Sequence, residues 1–162
     1  RHGRRTSGAI TGCRRSSRFR GLGSPEIHHA LLQSLQRVTA TEAFYDLFYD
    51  NFISQSEEIA AFFQNRDMLQ LKKKLRETLH MLAESAEGRP GLGLYIEMLG
   101  RIHFRLNVQR RHFTMWEEAL LDAVKIFDEE FSDQVLAAWL DVIDRVIESM
   151  FAALNDANKL AS

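Results

Sequence analysis

The stretch Leu99-Gly100-Arg101-Ile102-His103-Phe104-Arg105-Leu106-Asn107-Val108 places one histidine near the end of a predicted helix. Apolar residues around it recur every three or four positions, which is the period of an α-helix. Asn107 is suited to end that helix, because asparagine tolerates the left-handed backbone better than most residues do. A lone histidine on a helix is more often a surface or core residue than a metal ligand. The role of His103 therefore depends on what the rest of the chain supplies.

Length and composition limit the fold classes that this chain can adopt. The chain has 162 residues, is 45% hydrophobic, and contains only 2 proline and 9 glycine residues. That length fits one domain, and strand-type alternation is scarce, so we predict an all-α domain. No apolar run approaches the ~20 residues of a membrane span, and the single cysteine, Cys13, excludes a disulfide framework. We expect a cytoplasmic protein with no membrane partner.

Charge divides the chain into two parts. Residues 1–24 hold seven arginines and no acid, which predicts a disordered Arg-rich tail, with an organelle transit peptide as the alternative. Residues 25–162 form the predicted folded domain and carry a net charge of −8. An acidic domain is a poor general binder of nucleic acid, so we expect no nucleic-acid partner.

Periodicity and capping residues predict seven helical segments. Their approximate ranges are 25–38, 41–54, 57–62, 67–83, 94–105, 110–128 and 132–156. Apolar residues surround most of the second segment, so we expect it to be deeply buried. Thr39 or Thr41 is suited to cap that segment, and Ser56 to cap the short third one.

Other kinds of site have no matching pattern. The six histidines show no zinc-type spacing with a third ligand, and no strand–turn–helix context for a nucleophile is visible. Gly91-Leu92-Gly93 lacks the partners of a phosphate-binding loop.

Several short motifs taken together resemble a known family. They are Phe48-Tyr49-Asp50-Asn51-Phe52-Ile53, Phe63 fourteen residues after Tyr49, Asp67-Met68, Ile102-His103 leading through Asn107-Val108 to His112-Phe113, and Ala138-Trp139. In order and spacing they resemble bacterial single-domain globins, which are similar to the globin domains of flavohaemoglobins and sensor globins. The resemblance covers roughly residues 28–156. It implies an all-α, globin-like three-over-three helical fold with haem b and its iron as cofactor.

The resemblance also implies roles for individual residues. His103 matches the proximal iron ligand, and the carbonyl of Leu99, one turn earlier, is a natural acceptor for its second ring nitrogen. Tyr49 matches the tyrosine that bacterial globins place over the bound gas, although Tyr45 lies four residues away on the same face. A buried tyrosine bonded to a backbone carbonyl is the structural alternative. Phe63 matches the phenylalanine that packs on the haem face.

Four further residues complete the predicted pocket. Leu71 falls where many globins carry a distal histidine or glutamine, and Leu75 is expected to cap the distal side. Val108 is expected to pack under the haem on the proximal side. Lys74 could reach a haem propionate, with a solvated surface lysine as the alternative.

The expected function is reversible binding of dioxygen or nitric oxide, as in oxygen transport or a gas sensor. Flavohaemoglobin-like domains place a tyrosine and a glutamate behind the proximal histidine, but these positions fall on Phe113 and near Leu154. This departure disfavours peroxidase-like oxygen activation. The alternatives are a nitric oxide dioxygenase served by an external reductase, and a haem-free interaction module. The last two helices could also form a homodimer interface.

Overall fold

The computed structural model describes residues 24–160, and these form seven α-helices without a strand. The helices are α1 (Ser24–Val38), α2 (Glu42–Ser54), α3 (Glu57–Phe62), α4 (Met68–Ala86), α5 (Leu92–Arg105), α6 (Arg110–Phe127) and α7 (Asp133–Leu160). The all-α prediction is confirmed for this part of the chain. The predicted Arg-rich tail lies outside the described residues, apart from Ser24.

Three helices are longer than predicted. Helices α4 and α7 continue beyond the predicted residues 83 and 156, and α5 begins two residues before residue 94. Short-range capping was predicted more successfully. The Thr41 hydroxyl accepts from the Ala43 N–H, and the Ser56 hydroxyl accepts from the Ile59 N–H at 3.1 Å. Thr39 instead donates to the Leu35 carbonyl, so Thr41 is the cap of α2.

Helix α7 is central to the packing. It packs against α1, α4 and α5, while α2 packs against α6, so α1, α4 and α5 lie over α2, α6 and α7. Helix α2 is as deeply buried as its composition predicts. Its buried residues are Phe44, Tyr45, Phe48, Tyr49 and Phe52.

A polar cluster is enclosed where α1 meets α7 and the end of α6. The Ser34 hydroxyl donates to Asp128 Oδ2 at 2.6 Å and accepts from Trp139 Nε1 at 2.8 Å. Arg37 Nε and Nη2 donate to the two Asp128 oxygens at 2.5 and 3.0 Å. Each buried polar atom of this cluster therefore has a partner, which is what allows it to lie in the core.

Candidate functional site

His103 lies in the last turn of α5 with its ring fixed by the backbone. Its Nδ1 atom is 2.7 Å from the Leu99 carbonyl oxygen, the contact predicted from the sequence. A carbonyl only accepts hydrogen bonds, so the partner assigns the proton of the neutral ring to Nδ1. The lone pair then belongs to Nε2, which has no hydrogen-bond partner among residues 24–160. A neutral imidazole held in this way is suited to bind a metal through Nε2.

The backbone after His103 closes the helix in a Schellman motif. Asn107 has φ +59°, and its N–H donates to the Phe104 carbonyl at 2.9 Å. The Val108 N–H donates to the His103 carbonyl at 3.0 Å. These two bonds are the pair that defines the motif, and they hold Val108 beside the histidine. The prediction that Asn107 ends the helix is confirmed.

Gly100 brings α5 close to α7. A Cβ atom at this position would lie 2.9 Å from the Met150 carbonyl oxygen, so a larger residue would force the helices apart. Gly100 precedes His103 by three residues, about one helical turn. The close approach of the two helices therefore sets the position of the histidine relative to the core.

The surroundings of His103 on the α7 side are apolar. The Phe113 ring centroid lies 5.4 Å from that of His103. A cavity of about 10 Å³ adjoins both residues, and its other lining residues are Gly100, Phe104, Val108, Met150, Phe151 and Leu154. Phe113 and Leu154 thus stand near His103, where the resemblance places them, and neither has a polar group. The Leu99 carbonyl is the hydrogen-bond partner that the described residues offer this ring.

Tyr49 and Phe63 come together on another face of the core. The two ring centroids are 6.1 Å apart, and only 5% of Tyr49 is exposed. The Tyr49 hydroxyl donates to the Leu71 carbonyl at 2.6 Å, which is the backbone-bonded alternative considered from the sequence. Burial raises the pKa of Tyr49 above its usual value, so the phenol keeps its proton and remains a donor.

The remaining predicted pocket residues occupy different environments. Leu75 is buried, whereas Leu71, Phe63 and Val108 are half-buried. The Lys74 side chain is 77% exposed and lies 3.7 Å from Glu77, so its propionate contact stays a prediction.

Helix α5 leaves apolar side chains open to solvent. It turns Ile96 and Gly100 inward, while a stripe of larger residues at four-residue intervals is exposed. The stripe consists of Leu94, Met98, Ile102 and Leu106. With 3.6 residues per turn, Ile102 and Leu106 lie nearest to His103 around the helix, whereas Leu94 and Met98 face away from it. Exposed apolar side chains beside an imidazole suited to bind a metal fit a large apolar group that carries a metal.

His112 has a structural role that the sequence did not reveal. It is 3% exposed, its Nδ1 accepts from the Gln109 N–H at 2.9 Å, and its Nε2 lies 3.1 Å from Glu58 Oε2. His112, followed by Arg111, lowers the pKa of the Glu58 carboxyl. The three-residue spacing of Gln109 and His112 across the first turn of α6 is the sequence feature that could have predicted this role. Because Nδ1 accepts this hydrogen bond, the neutral ring carries its proton on Nε2 and has no free lone pair, so His112 does not compete with His103 as a ligand.

Two kinds of feature are missing from residues 24–160. No group of three or more His, Cys, Asp or Glu side chains is arranged to hold a metal ion. No helix there is long and apolar enough to cross a membrane.

Comparisons with known proteins bear on the fold. The globin family model matches residues 46–150, well over half of the chain. A similar solved structure is that of protein PA3967 from Pseudomonas aeruginosa PAO1, described as structurally highly homologous to a human hemoglobin. The two are 30% identical, with a TM-score of 0.74 over 78% of this chain and 97% of that one. No curated protein matches this chain. The matched family model and this structural likeness confirm the all-α, globin-like fold predicted above, and the chain belongs to the globin family.

Proposed function

We propose that this globin binds haem b through His103 and a diatomic gas, dioxygen or nitric oxide, beside Tyr49. The observation that carries the proposal is the 2.7 Å contact between His103 Nδ1 and the Leu99 carbonyl oxygen. It holds the ring in one tautomer and leaves Nε2 as the single metal-binding atom. The exposed Ile102 and Leu106 side chains near His103 supply apolar surface that a porphyrin would cover.

Each predicted pocket residue has a task in this proposal. Phe63, Leu71 and Leu75 would hold the haem on the Tyr49 side, and Val108 on the His103 side. Lys74 would pair with a propionate at the surface. When bound, haem supplies the iron position at which a diatomic gas can coordinate.

Tyr49 would discriminate among gases by hydrogen bonding. Its hydroxyl already donates to the Leu71 carbonyl at 2.6 Å. A gas that takes this bond must be a strong enough acceptor to compete with the carbonyl. The neutral phenol favoured by burial is a donor for a polarised ligand such as dioxygen and gains little from an apolar one.

The apolar surroundings of His103 favour reversible binding over oxygen activation. No carboxylate lines the small cavity beside His103, so nothing there adds negative charge to the ring. Nitric oxide dioxygenation with an external reductase is a second candidate, since it also uses a tyrosine donor. Measuring nitric oxide consumption by the oxygen-loaded protein, with and without a reductase, would distinguish the two.

The ligand assignment is tested with His103→Gly and imidazole rescue. The purified wild-type protein should show a Soret band, and the variant should lose it or bind haem at least tenfold more weakly. Added imidazole should restore the band by entering the space left by the side chain. The control is His80→Gly, which removes an exposed histidine that pairs with Glu84. A wild-type protein without a Soret band, or an unchanged spectrum in His103→Gly, would contradict the proposal.

The gas assignment is tested with Tyr49→Phe. A hydrogen bond to a charged acceptor contributes roughly 1.5–3 kcal/mol, so dioxygen should dissociate about tenfold faster or more from the variant. Carbon monoxide, a weaker acceptor, should dissociate at nearly the wild-type rate. Equal changes for both gases would mean that Tyr49 only shapes the pocket.

A further inference from the structure

Two neighbouring contacts join α2 to α4 beside Tyr49. The Tyr49 hydroxyl donates to the Leu71 carbonyl oxygen at 2.6 Å. The next residue of α4, Lys72, places its Nζ atom 2.5 Å from Asp46 Oδ1. Asp46 precedes Tyr49 by three residues, so the two side chains are neighbours on the surface of α2. A hydrogen bond and an ion pair therefore hold consecutive residues of α4 against one turn of α2.

The Lys72–Asp46 pair is better enclosed than most surface ion pairs. Only 16% of the Lys72 side chain is exposed, and Glu42 Oε2 lies 3.9 Å from the same ammonium group. The hydrogen bond to Asp46 is the largest of the effects that raise the pKa of Lys72. One turn later on α4, Arg76 Nη2 donates to Glu42 at 2.7 Å. Charged contacts thus hold the first half of α4 on α2.

Close helix packing contributes little to this part of the fold. Helix α4 packs mainly against α1 and α7, whereas α2 packs mainly against α3 and α6. Side-chain contacts, and the ion pairs among them, therefore set the separation of α2 and α4. The distance between the Leu71 carbonyl and the Tyr49 hydroxyl depends on this separation, and Lys72 follows Leu71 directly in the chain.

The Leu71 carbonyl and a bound gas compete for one proton. A phenol has a single O–H group, so the Tyr49 hydroxyl gives up the carbonyl when it donates to dioxygen. A carbonyl held close to Tyr49 reduces the net gain from a hydrogen bond to the gas. A carbonyl that can move away from Tyr49 increases that gain.

We propose that Lys72 is a positioning residue that lowers the dioxygen affinity of this globin. Through its ion pair with Asp46, it holds the Leu71 carbonyl against the Tyr49 hydroxyl and weakens the hydrogen bond available to the gas. This inference rests on the proposed gas binding and adds a residue that acts through Leu71 and Tyr49. Loss of the ion pair then strengthens dioxygen binding, whereas a purely structural role for the pair predicts the opposite.

The test uses Lys72→Met and Asp46→Asn, which each remove the ion pair with little change in side-chain size. Dioxygen should dissociate roughly two- to tenfold more slowly from either haem-loaded variant, because a neutral hydrogen bond competes less for the phenol. Carbon monoxide, a weaker acceptor, should dissociate at nearly the wild-type rate. The double variant should match the single ones, since all three lack the same contact. Unchanged or faster dioxygen dissociation, or an equal change for both gases, would overturn the proposal.

Lys73→Met and Asp50→Asn are the matched controls. They make the same changes at exposed neighbouring positions on α4 and α2 and should leave both dissociation rates unchanged. Lys72→Arg keeps the charge, so its dioxygen dissociation rate should lie closer to wild type than that of Lys72→Met. A control that slows dioxygen dissociation as much as Lys72→Met, or a Lys72→Arg variant that behaves like Lys72→Met, would contradict the role of the ion pair.

Urea denaturation gives a readout that needs no gas. If the ion pair holds the carbonyl against Tyr49, the two contacts are coupled, and a double-mutant cycle detects the coupling. Tyr49→Phe should therefore destabilise Asp46→Asn less than it destabilises the wild-type protein. Additive losses would show that the two contacts are independent and would overturn the proposal. If Tyr49→Phe leaves dioxygen dissociation unchanged, the proposed gas function fails, and the cycle still decides whether the ion pair positions the Leu71 carbonyl.

Discussion

Two regions of this globin differ in how completely their side chains find hydrogen-bond partners and burial within the chain. In the cluster of Ser34, Asp128 and Trp139, every polar group has a partner and the residues are buried. On α5, by contrast, Met98 and Ile102 are 47% and 42% exposed, and His103 Nε2 has no partner in the described residues. The first region makes all of its contacts within the chain. The second region would gain contacts for its exposed side chains and for His103 Nε2 when a ligand covers it.

This difference predicts that the polar cluster determines the stability of the fold and that the exposed face of α5 determines ligand binding. Substitutions in the Ser34–Asp128–Trp139 cluster should change the free energy of unfolding and leave ligand binding intact. Substitutions on the exposed face of α5 should change ligand retention and leave the ligand-free protein as stable as before.

The largest expected effect is that of Asp128→Asn. The carboxylate is fully buried between Ser34 and Arg37, and the loss of its charge leaves the arginine poorly paired. We expect the free energy of unfolding to fall by about 3 kcal/mol, near the lower end for a broken buried pair, because Arg37 is partly exposed. Urea denaturation measures this. The control is Glu130→Gln, an exposed partner of the same arginine, which should lose less than ~0.5 kcal/mol.

The same carboxylate gives a pH signature. Burial raises the pKa of Asp128, but hydrogen bonds from Arg37 and Ser34 lower it more strongly, and the net shift is downward. A depressed pKa contributes stability above the unfolded value of about 3.9 and loses it as the pH falls through the folded value. Wild-type stability should therefore fall more steeply below pH 4 than that of Asp128→Asn. Parallel curves for the two proteins would contradict the assigned network.

Gly100→Ala should affect both stability and haem binding. The added methyl group would lie 2.9 Å from the Met150 carbonyl, and overpacking of this kind costs about 1–3 kcal/mol. Because His103 follows three residues later, displacement of α5 should also alter the ferric haem spectrum. Gly93→Ala is the matched control, since nothing lies within 4 Å of its added Cβ and it stands in the same helix. It should be neutral or slightly stabilising. Equal unfolding curves for the two variants would refute the close-approach argument.

Ile102→Gln should affect the exposed region alone. The side chain is already accessible in the ligand-free protein, so the free energy of unfolding should change by less than ~0.5 kcal/mol. Haem transfer to an acceptor protein should become roughly three- to tenfold faster, because apolar surface covered by the haem is lost. Ile126→Gln, the same change at a more exposed isoleucine on α6, should leave the transfer rate unchanged. A similar acceleration in both would mean that the effect is not local to α5.

Contacts between residues that are close in the sequence could be predicted from the sequence. The caps of α2 and α3, the left-handed Asn107 and the contact of His103 with Leu99 all link residues within a few positions of one another. These contacts follow from helical geometry, in which residues four apart are adjacent. Helical periodicity therefore predicts them without knowledge of the tertiary fold.

Contacts between distant residues could not be predicted in that way. Ser34 meets residues 94 and 105 positions away, and nothing in the local pattern pairs it with Asp128 or Trp139. Likewise, sequence could not show that the Tyr49 hydroxyl reaches the Leu71 carbonyl, or that Tyr45 has no acceptor. The resemblance to globins names residues for the site, and their assembly around one bound group stays a prediction. The hydrogen-bond partners depend on how α2 crosses α4, which periodicity does not determine.

The smallest expected effect is that of Glu117→Gln, which tests whether α6 and α7 pack together without an unfavourable charge interaction. Burial, followed by the charge of Asp144 on α7, raises the pKa of Glu117 to about 7. The folded state therefore holds a proton that the unfolded chain releases near pH 4.5, so stability falls as the pH rises from about 4.5 to 7. Glu117→Gln removes this penalty. It should be more stable than wild type above pH 7 by about 1 kcal/mol, a figure reduced for partial solvent screening.

Below pH 5 the advantage of Glu117→Gln should vanish, because the wild-type carboxyl is then protonated in the folded state. Unfolding curves at pH 5 and pH 8 measure the difference, and Glu129→Gln, an exposed change in the turn after α6, serves as the control. An advantage that is the same at both pH values would trace the gain to packing rather than to charge. A gain confined to high pH would show that the well-packed helices α6 and α7 still contain one unfavourable charge pair. Complete packing and complete electrostatic satisfaction would then be separate properties of this fold.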